Sequence, residues 1–555
     1  MTTVLRPTWS TGAPSPRDDL RRALEMIVGR VHVSIDERAL DDASRSTVPQ
    51  STRPALLVRP ASRDEVVAVV RVVARHGGTV YPISGGRNWG YSDACAPADG
   101  AVLLDLSRMQ NIIEVNAPLA YAVIEPGVTQ RQLGDFLRDN TVRLRLEATG
   151  AGPDATLTGN MLERGIGYGA YGDRGAEMCA LEVVLADGSV LNTGPGAYPG
   201  AAAEHVRGTA IGPELDGLFR QSGWGIVTRL TVWLEPEPVS SSYLFFTLEK
   251  PESIGMLVDA LRTARLSGSL PGVVHLYNDM RLLGATMRRP ATDDDGAPLA
   301  RHAALEVAYP KLTRRLLAQH GLPAWTGSAV LNGSSRAEVA AKRRAIKRVL
   351  RRVDGLRAVF ISDALVRRGA WLRARTPAWV SLAKLRATWD RLWLGVSMLR
   401  GEPIYETLRG AMWRTKGDVE SSAAPRDPIE ARAGIAWVAP ILPAASSAVH
   451  EVDDIARAVL HAHGFEYQVT FSLVSPRAVA AVISICFDRA NTAECARAAA
   501  CHDALVRALL ERGYPPYRGS HRARELAREA APAFWAVADR VRAALDPSQA
   551  ISRGR

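Results

Sequence analysis

The residues with the clearest chemical reading are 82 to 91, PISGGRNWGY. Gly85 and Gly86 follow directly on a strand-like run, and both can take backbone conformations closed to other residues, so main-chain N–H groups can converge on one ligand. Successive free amides of this kind suit an anion such as a pyrophosphate. A glycine turn after a strand is more often an ordinary loop, so the reading depends on what positions it. Residues 55 to 58 and 79 to 83 are apolar or β-branched, and residues 63 to 76 between them carry valines at helical spacing. Strand, helix and strand then deliver the turn at the end of a β-α-β unit.

A chain of 555 residues exceeds what one hydrophobic core serves, and two closely packed domains are expected. The net charge of +11 raises the question of nucleic acid or an anionic membrane, but the basic residues are almost all arginine, with six lysines, and are spread along the chain. The densest basic stretch, 342 to 352, reads as the solvated face of a helix that Ser335 and Glu338 begin in capping-box spacing. Cys95, Cys179, Cys486, Cys495 and Cys501 show neither CxxC spacing nor paired histidines, so no disulfide framework and no metal site is expected. No apolar run approaches membrane-spanning length and no leader pattern opens the chain. A cytoplasmic protein without nucleic-acid or membrane partners is the expectation.

The chain divides by pattern into four parts. Residues 1–50 are an accessory lead with one amphipathic helix near 19 to 31. In residues 51–238 short strands alternate with helices and tight turns, including a hairpin at Asp187 and Gly188, and Pro236 and Pro238 close the segment. Residues 239–513 alternate strands near 243, 357, 466 and 479 with helices near 251, 335, 449 and 492, which implies an antiparallel sheet covered by helices on one side. Residues 410 to 433, rich in Arg, Asp, Pro and Ser, read as a long loop. Residues 514–555 should return to the first domain. The fold class is α+β.

Three further segments give the glycine turn a context: GNMLERGIGYGAYGD at 159 to 173, LDGLFRQSGWGIVT at 215 to 228, and the pair Tyr517 and Arg518. Together with residues 82 to 91 they resemble the vanillyl-alcohol oxidase and p-cresol methylhydroxylase family of FAD enzymes. The resemblance is strong from about 55 to 238, loose in the middle, and returns after 433. It implies an N-terminal FAD-binding domain and a C-terminal substrate domain. It assigns Pro82, Ile83, Ser84, Gly85, Gly86, Arg87 and Asn88 to the pyrophosphate, and Ile226 and Val227 to the adenine side. Gly159, Asn160, Gly165, Gly167, Tyr168, Tyr171, Gly172 and Asp173 would lie along the flavin, and Arg555 ends a tail like the family's C-terminal flavin contact. Five glycines in that run are too many for a helix or strand, at about 0.5 to 1 kcal/mol each. A backbone pressed against a flat cofactor accounts for them.

The resemblance also matches Tyr91, Tyr517 and Arg518 to the family's phenolate-binding group. Two hydroxyls and a guanidinium around one oxygen stabilise an anion by charge-assisted hydrogen bonds. Hydride loss from the para side chain to the flavin would follow, giving a quinone methide that water attacks. Neighbours on a regular strand face opposite ways, which argues against Tyr517 and Arg518 sharing a ligand; Pro515 and Pro516 make regular pairing there unexpected. Two positions depart from the family. Ala151 stands where the alcohol-oxidising relatives carry an aspartate, with Asp154 as the nearby substitute and Glu147 a poorer one. Ile435 stands where the covalent histidine is expected, so FAD should be held without a covalent link. Thr470 matches a substrate-facing position. The expected activity is oxidation of a para-substituted phenol, with dioxygen or another carrier as electron acceptor and a homodimer as one candidate assembly. A non-phenolic alcohol or hydroxy acid bound through Arg518, or a non-catalytic basic interaction protein, are the alternatives.

Overall fold

A computed structural model describes residues 16–375, 392–415 and 427–554. The strands Leu56–Val58 and Val80–Ile83 flank the helix Arg63–Arg75 as expected, but they are not neighbours: Val102–Asp105 lies between them, parallel to both. Ser62 starts the helix by accepting from Glu65 N, and Val66, Val69, Val70 and Val73 form its buried stripe. The end of the chain closes this sheet. Val80 N donates to Ala550 O and Ser552 N to Val80 O, while the Asp546 carboxylate accepts from Ala550 N and Ile551 N.

A second sheet holds five antiparallel strands in the order Ile112–Asn116, Tyr121–Ile124, Ile226–Trp233, Met178–Val184 and Val190–Asn192. The last two are joined by the hairpin at Asp187 and Gly188, where Gly188 takes φ +77°. The accessory lead is built in. Its helix Pro16–Val28 buries Leu24 and Val28 in the core around Val66 and Val70, and Ser46 and Thr47 bind the carboxylate of buried Asp93. Thr47 also accepts from Gly90 N and, through its carbonyl, from Ile435 N.

The third sheet has eight strands, antiparallel throughout, in the order Leu356–Ser362, Ser240–Leu248, Trp325–Gly333, Val274–Asn278, Gln468–Leu473, Ala478–Asp488, Ala433–Pro443 and Pro516–Arg518. Its two faces have different solvents. Val469, Phe471 and Leu473 point into a core shared with the helices Ile254–Leu266, Arg336–Leu350, Ser446–Ala462 and Thr492–Glu511, each large side chain contributing about 1.5 to 3 kcal/mol. Thr470 and Ser472, one residue out of phase, face a cavity instead. The α+β arrangement with helices on one side of the antiparallel sheet is thus present. Three of its strands, Val274–Asn278, Trp325–Gly333 and Ala433–Pro443, were not among those expected, and Pro516–Arg518 extends this sheet before the chain turns back to the first. Part of the expected loop, 416 to 426, lies outside the described residues.

Candidate active site

The open face of the eight-stranded sheet floors a cavity of about 1740 Å³. That exceeds the roughly 300 to 1,000 Å³ of a pocket for one small molecule. One cross-strand row runs along the floor: Tyr277 opposite Thr470, Thr470 opposite Val482, and, one strand beyond, Ala439 opposite Arg518. Tyr277, Thr470, Val482 and Arg518 all line the cavity.

Tyr91, Tyr517 and Arg518 meet at one end of that row. The Arg518 guanidinium stacks 4.4 Å from the centre of the Tyr91 ring and donates from Nη2 to Asn88 Oδ1 at 2.5 Å, while its Nε is buried without a partner. Tyr91 is 2% exposed and edge-on to Trp437, with 5.4 Å between ring centres. Trp437 N donates to Gly90 O, and a Cβ at Gly90 would run into the Trp437 ring. Burial, reinforced by Tyr517, pushes the Tyr91 hydroxyl far above its ordinary value, and burial raises Tyr517 against the pull of Arg518. Both tyrosines are therefore neutral at physiological pH, and their hydroxyls hydrogen-bond to one another.

The segment does pair with a strand, but not regularly, as Pro515 and Pro516 led one to expect. Ala439 faces Arg518 and Pro440 faces Pro516, so one step on the inner strand spans two on the outer. The surplus residue is Tyr517. A bulge of this kind breaks alternation, and both Tyr517 and Arg518 line the same cavity.

At the other wall Ser84, Gly86, Arg87 and Asn88 face residues 158 to 160, with Ile226 and Val227 further along. Pro82, Ile83, Gly165 and Tyr168 also line the cavity. Gly86 takes φ +66°, while Gly85 does not need positive φ; a Cβ there would meet Thr156. The Ser84 and Thr156 hydroxyls hydrogen-bond at 2.7 Å and Trp89 Nε1 donates to Ala151 O at 3.2 Å, so the two walls are tied together. The residues present fit a dinucleotide with a polar ring edge: Thr158 Oγ1 and Asn160 Oδ1 are buried on this wall without partners, and Arg87 lines it with its guanidinium donating to Asp154 O at 3.3 Å and 3.8 Å from the Asp427 carboxylate.

The glycines from 159 to 173 also have a cause within the protein itself. A Cβ at Gly167 or Gly169 would overlap the side chain of Glu147, one at Gly165 would overlap Asn160, and one at Gly172 would overlap Val273. The loop is wrapped around protein groups, chiefly a buried carboxylate. Glu147 accepts from Tyr168 N and Gly169 N at 2.5 Å each, and burial raises its pKa to about 7. Gly85, Gly167, Tyr171, Gly172 and Asp173 do not line the cavity, and Arg555 lies outside the described residues.

Asp154 is also absent from the cavity wall. Its side chain is 38% exposed, pairs with Arg131 at 3.2 Å and accepts from Tyr405 Oη at 2.7 Å. Burial works to raise its pKa, but Tyr405 and Arg131 outweigh it and hold the carboxyl below its ordinary value. Glu147 sits behind the loop. Ile435 is fully buried among Trp413 and Leu283. Thr470, 9% exposed, does face the cavity.

Sequence reasoning missed the far end of the row. His275, Tyr277 and Arg281 line it, brought there by the unexpected strand Val274–Asn278 and the helix Asp279–Thr286. His275 bridges Ser472 Oγ at 2.8 Å and Gly167 O at 3.0 Å, and burial lowers its pKa to about 4, so it is neutral. The alternation Val274, Leu276 against His275, Tyr277 was the available signal. Among the described residues no cluster of ligating side chains could hold a metal ion, all five cysteines are free, and no helix is long and apolar enough to cross a membrane.

Residues 54–194 match a family model described as an FAD binding domain. The chain is 34% identical over 542 residues, 97% of each protein, to the 1'-carboxy-chondrochloren decarboxylase of Chondromyces crocatus. It is 28% identical over 90% of its length, and 87% of the other's, to the 4-cresol dehydrogenase [hydroxylating] flavoprotein subunit of Pseudomonas putida. Among solved structures, p-cresol methylhydroxylase with substrate bound superposes with a TM-score of 0.84 at 26% identity, covering 98% of this chain and 97% of that one.

Proposed function

From the premise that the chain belongs to the vanillyl-alcohol oxidase and p-cresol methylhydroxylase family of FAD-dependent oxidoreductases, we propose that it oxidises a para-substituted phenol bound as its phenolate by Tyr91, Tyr517 and Arg518. The observation that carries this reading is the buried, unpartnered Nε of Arg518 beside two neutral tyrosine hydroxyls. A donor left unsatisfied in a dry site costs about 1 to 3 kcal/mol, and an oxyanion arriving there recovers it. FAD supplies the two-electron acceptor, and Ser84, Gly86, Arg87, Asn88, Thr158, Gly159 and Asn160 are the residues that would hold it.

A phenol resembles tyrosine, with a pKa near 10, so at neutral pH it is mostly protonated and a poor donor. Arg518 and the tyrosines favour the anion, and the ring then releases a hydride from the benzylic carbon. The substrate becomes a para-quinone methide, its former hydroxyl a carbonyl that the same three groups continue to hold. Water adding at the benzylic carbon restores the phenol and leaves an alcohol. No carboxylate at Ala151 and none from Asp154 reaches the cavity, so activation rests on the phenolate site. Dioxygen or another electron carrier reoxidises the cofactor.

The decarboxylase relative supports a second outcome of the same first step. If the carbon next to the benzylic one bears a carboxylate, the quinone methide can lose CO₂. The C–C bonding pair then forms the side-chain double bond and returns the phenolate. Anaerobic mixing of the holoenzyme with para-alkylphenols tests the common step by flavin bleaching. Bleaching by the phenol but not by its O-methyl ether is the expected result, and equal bleaching by both refutes the phenolate reading.

A further inference from the structure

The accessory lead reaches the phenolate group along one strand edge. On the side of Ala433–Pro443 away from Ala478–Asp488, the amides of Ile435, Trp437 and Ile441 donate in turn to Thr47 O at 2.8 Å, Gly90 O at 2.8 Å and Pro515 O at 2.9 Å. Alternate amides of an extended strand share an edge. The lead, the turn that carries Tyr91 and the segment that carries Tyr517 and Arg518 are therefore set side by side on one support.

Thr47 also ties the first two to each other. Gly90 N donates to Thr47 Oγ1 at 2.9 Å, and the single proton of that hydroxyl goes to the Asp93 carboxylate, whose oxygens lie 2.9 Å and 3.0 Å away. Thr47 N donates to the same carboxylate at 2.7 Å and Ser46 Oγ at 2.8 Å. Thr47 is 0% exposed and Asp93 4%. Asp93 takes φ +51°, a left-handed conformation that costs a residue with a side chain, and its three donors hold it there. Between the ties, Asn88 O accepts from the amides of Tyr91, Ser92 and Asp93. Just beyond Ala478–Asp488, Arg489 donates to Val48 O, so the lead is fixed on both sides of Thr47. A carboxylate that served only to anchor the lead would need no hydroxyl shared with Gly90. Residues 88 to 93 are clamped by Arg518 at Asn88 and by Thr47 at Gly90 and Asp93, with Tyr91 inside the clamp.

We infer that Thr47 and Asp93 are positioning residues for the phenolate group, fixing where Tyr91 stands against Tyr517 and Arg518. This rests on the phenolate reading, and its test does not depend on turnover. Binding of 4-chlorophenol, which has no benzylic hydrogen to lose, and of 4-chloroanisole to the oxidised holoenzyme is followed by perturbation of the flavin spectrum. The pH is set where the Asp93 carboxyl, raised by burial to about 6, is ionised. Thr47→Val keeps the shape and removes the hydroxyl. It should cut the parent's preference for the phenol about ten-fold, the scale of one charge-assisted hydrogen bond, with the ether's affinity and the FAD content unchanged. Thr47→Ser should keep the parent's preference, and Asp93→Asn, which meets donors with a donor of its own, should lower it as Thr47→Val does. A preference that survives Thr47→Val overturns the inference, as does an equal loss for phenol and ether. Failure of both Thr47→Val and Asp93→Asn to retain FAD overturns it too, since the tie then serves folding alone. A parent that binds phenol and ether alike overturns the phenolate reading with it, which distinguishes the two failures.

Discussion

Replacing Arg518 by lysine keeps the charge and removes the planar fork. In the parent the guanidinium is committed on one edge to Asn88 Oδ1 and on its face to the Tyr91 ring, and its Nε remains for the ligand. A single ammonium cannot satisfy Asn88 and an oxyanion in that geometry. The loss is about one charge-assisted hydrogen bond, or roughly 1.5 to 3 kcal/mol. At 1.36 kcal/mol per pKa unit, the bound phenol should titrate about one to two units higher. The sign follows from which form donates. The reduction rate rises with pH as phenolate forms and levels off above the bound pKa, so the variant's plateau starts at higher pH. At neutral pH reduction should slow by about ten- to a hundred-fold, and the deficit should shrink as pH rises. Anaerobic stopped-flow bleaching with a para-alkylphenol, at matched FAD content, measures this. A rate unchanged at every pH, or a uniform fall with no displacement of the profile, would refute the argument.

Acid precipitation should release the flavin into the supernatant, because Ile435 offers no attachment chemistry and is buried in an apolar core; colour retained by the proteolysed pellet would count against this. Asp154→Asn should leave flavin reduction within a few-fold of the parent, against the roughly 10² to 10⁴ expected of a general base, since the carboxylate is engaged by Arg131 and Tyr405 outside the cavity wall. For Glu147 burial raises the folded-state pKa from the ordinary 4.5 to about 7, so the folded state favours the neutral acid. Stability from this group is present below the unfolded pKa and lost as pH rises through the folded one. The melting temperature of Glu147→Gln relative to the parent should therefore climb between about pH 5 and about pH 8, and a flat difference would contradict the burial argument.

The local elements were legible where one face of a strand or helix is apolar. The valines of Arg63–Arg75, the Asp187 and Gly188 hairpin and the strands around Thr470 follow directly from period and turn chemistry. What the pattern does not carry is adjacency. Nothing in residues 55 to 83 says that Val102–Asp105 inserts between the two strands, because register across a parallel sheet is settled by tertiary packing. The glycines of 159 to 173 were visible as a constraint, but the group that Gly167 and Gly169 make room for, the buried Glu147 carboxylate, is set by tertiary packing and not by local pattern. Asp154 shows what counting leaves out. The carboxylate it places near the right position is paired with Arg131 and Tyr405 and does not line the cavity. His275 and Tyr277 were missed although Ser267, Gly268, Pro271 and Gly272 mark a turn before their strand, because the cross-strand partners that bring them to the cavity lie far along the chain.

The bulge at Tyr517 constrains how this segment can change over descent. A strand that sends two consecutive side chains to one side has its phase set by chain length and not by residue identity. Point substitutions can therefore exchange either group while the other stays in place, and a lineage can drift from one ligand chemistry to another through viable steps. Loss or gain of one residue between 514 and 518 is a different event. It restores the two-residue period, turns one of the pair toward the opposite side, and removes both groups' joint grip in a single step. Homologues that handle similar ligands should keep this stretch free of gaps even where its letters differ.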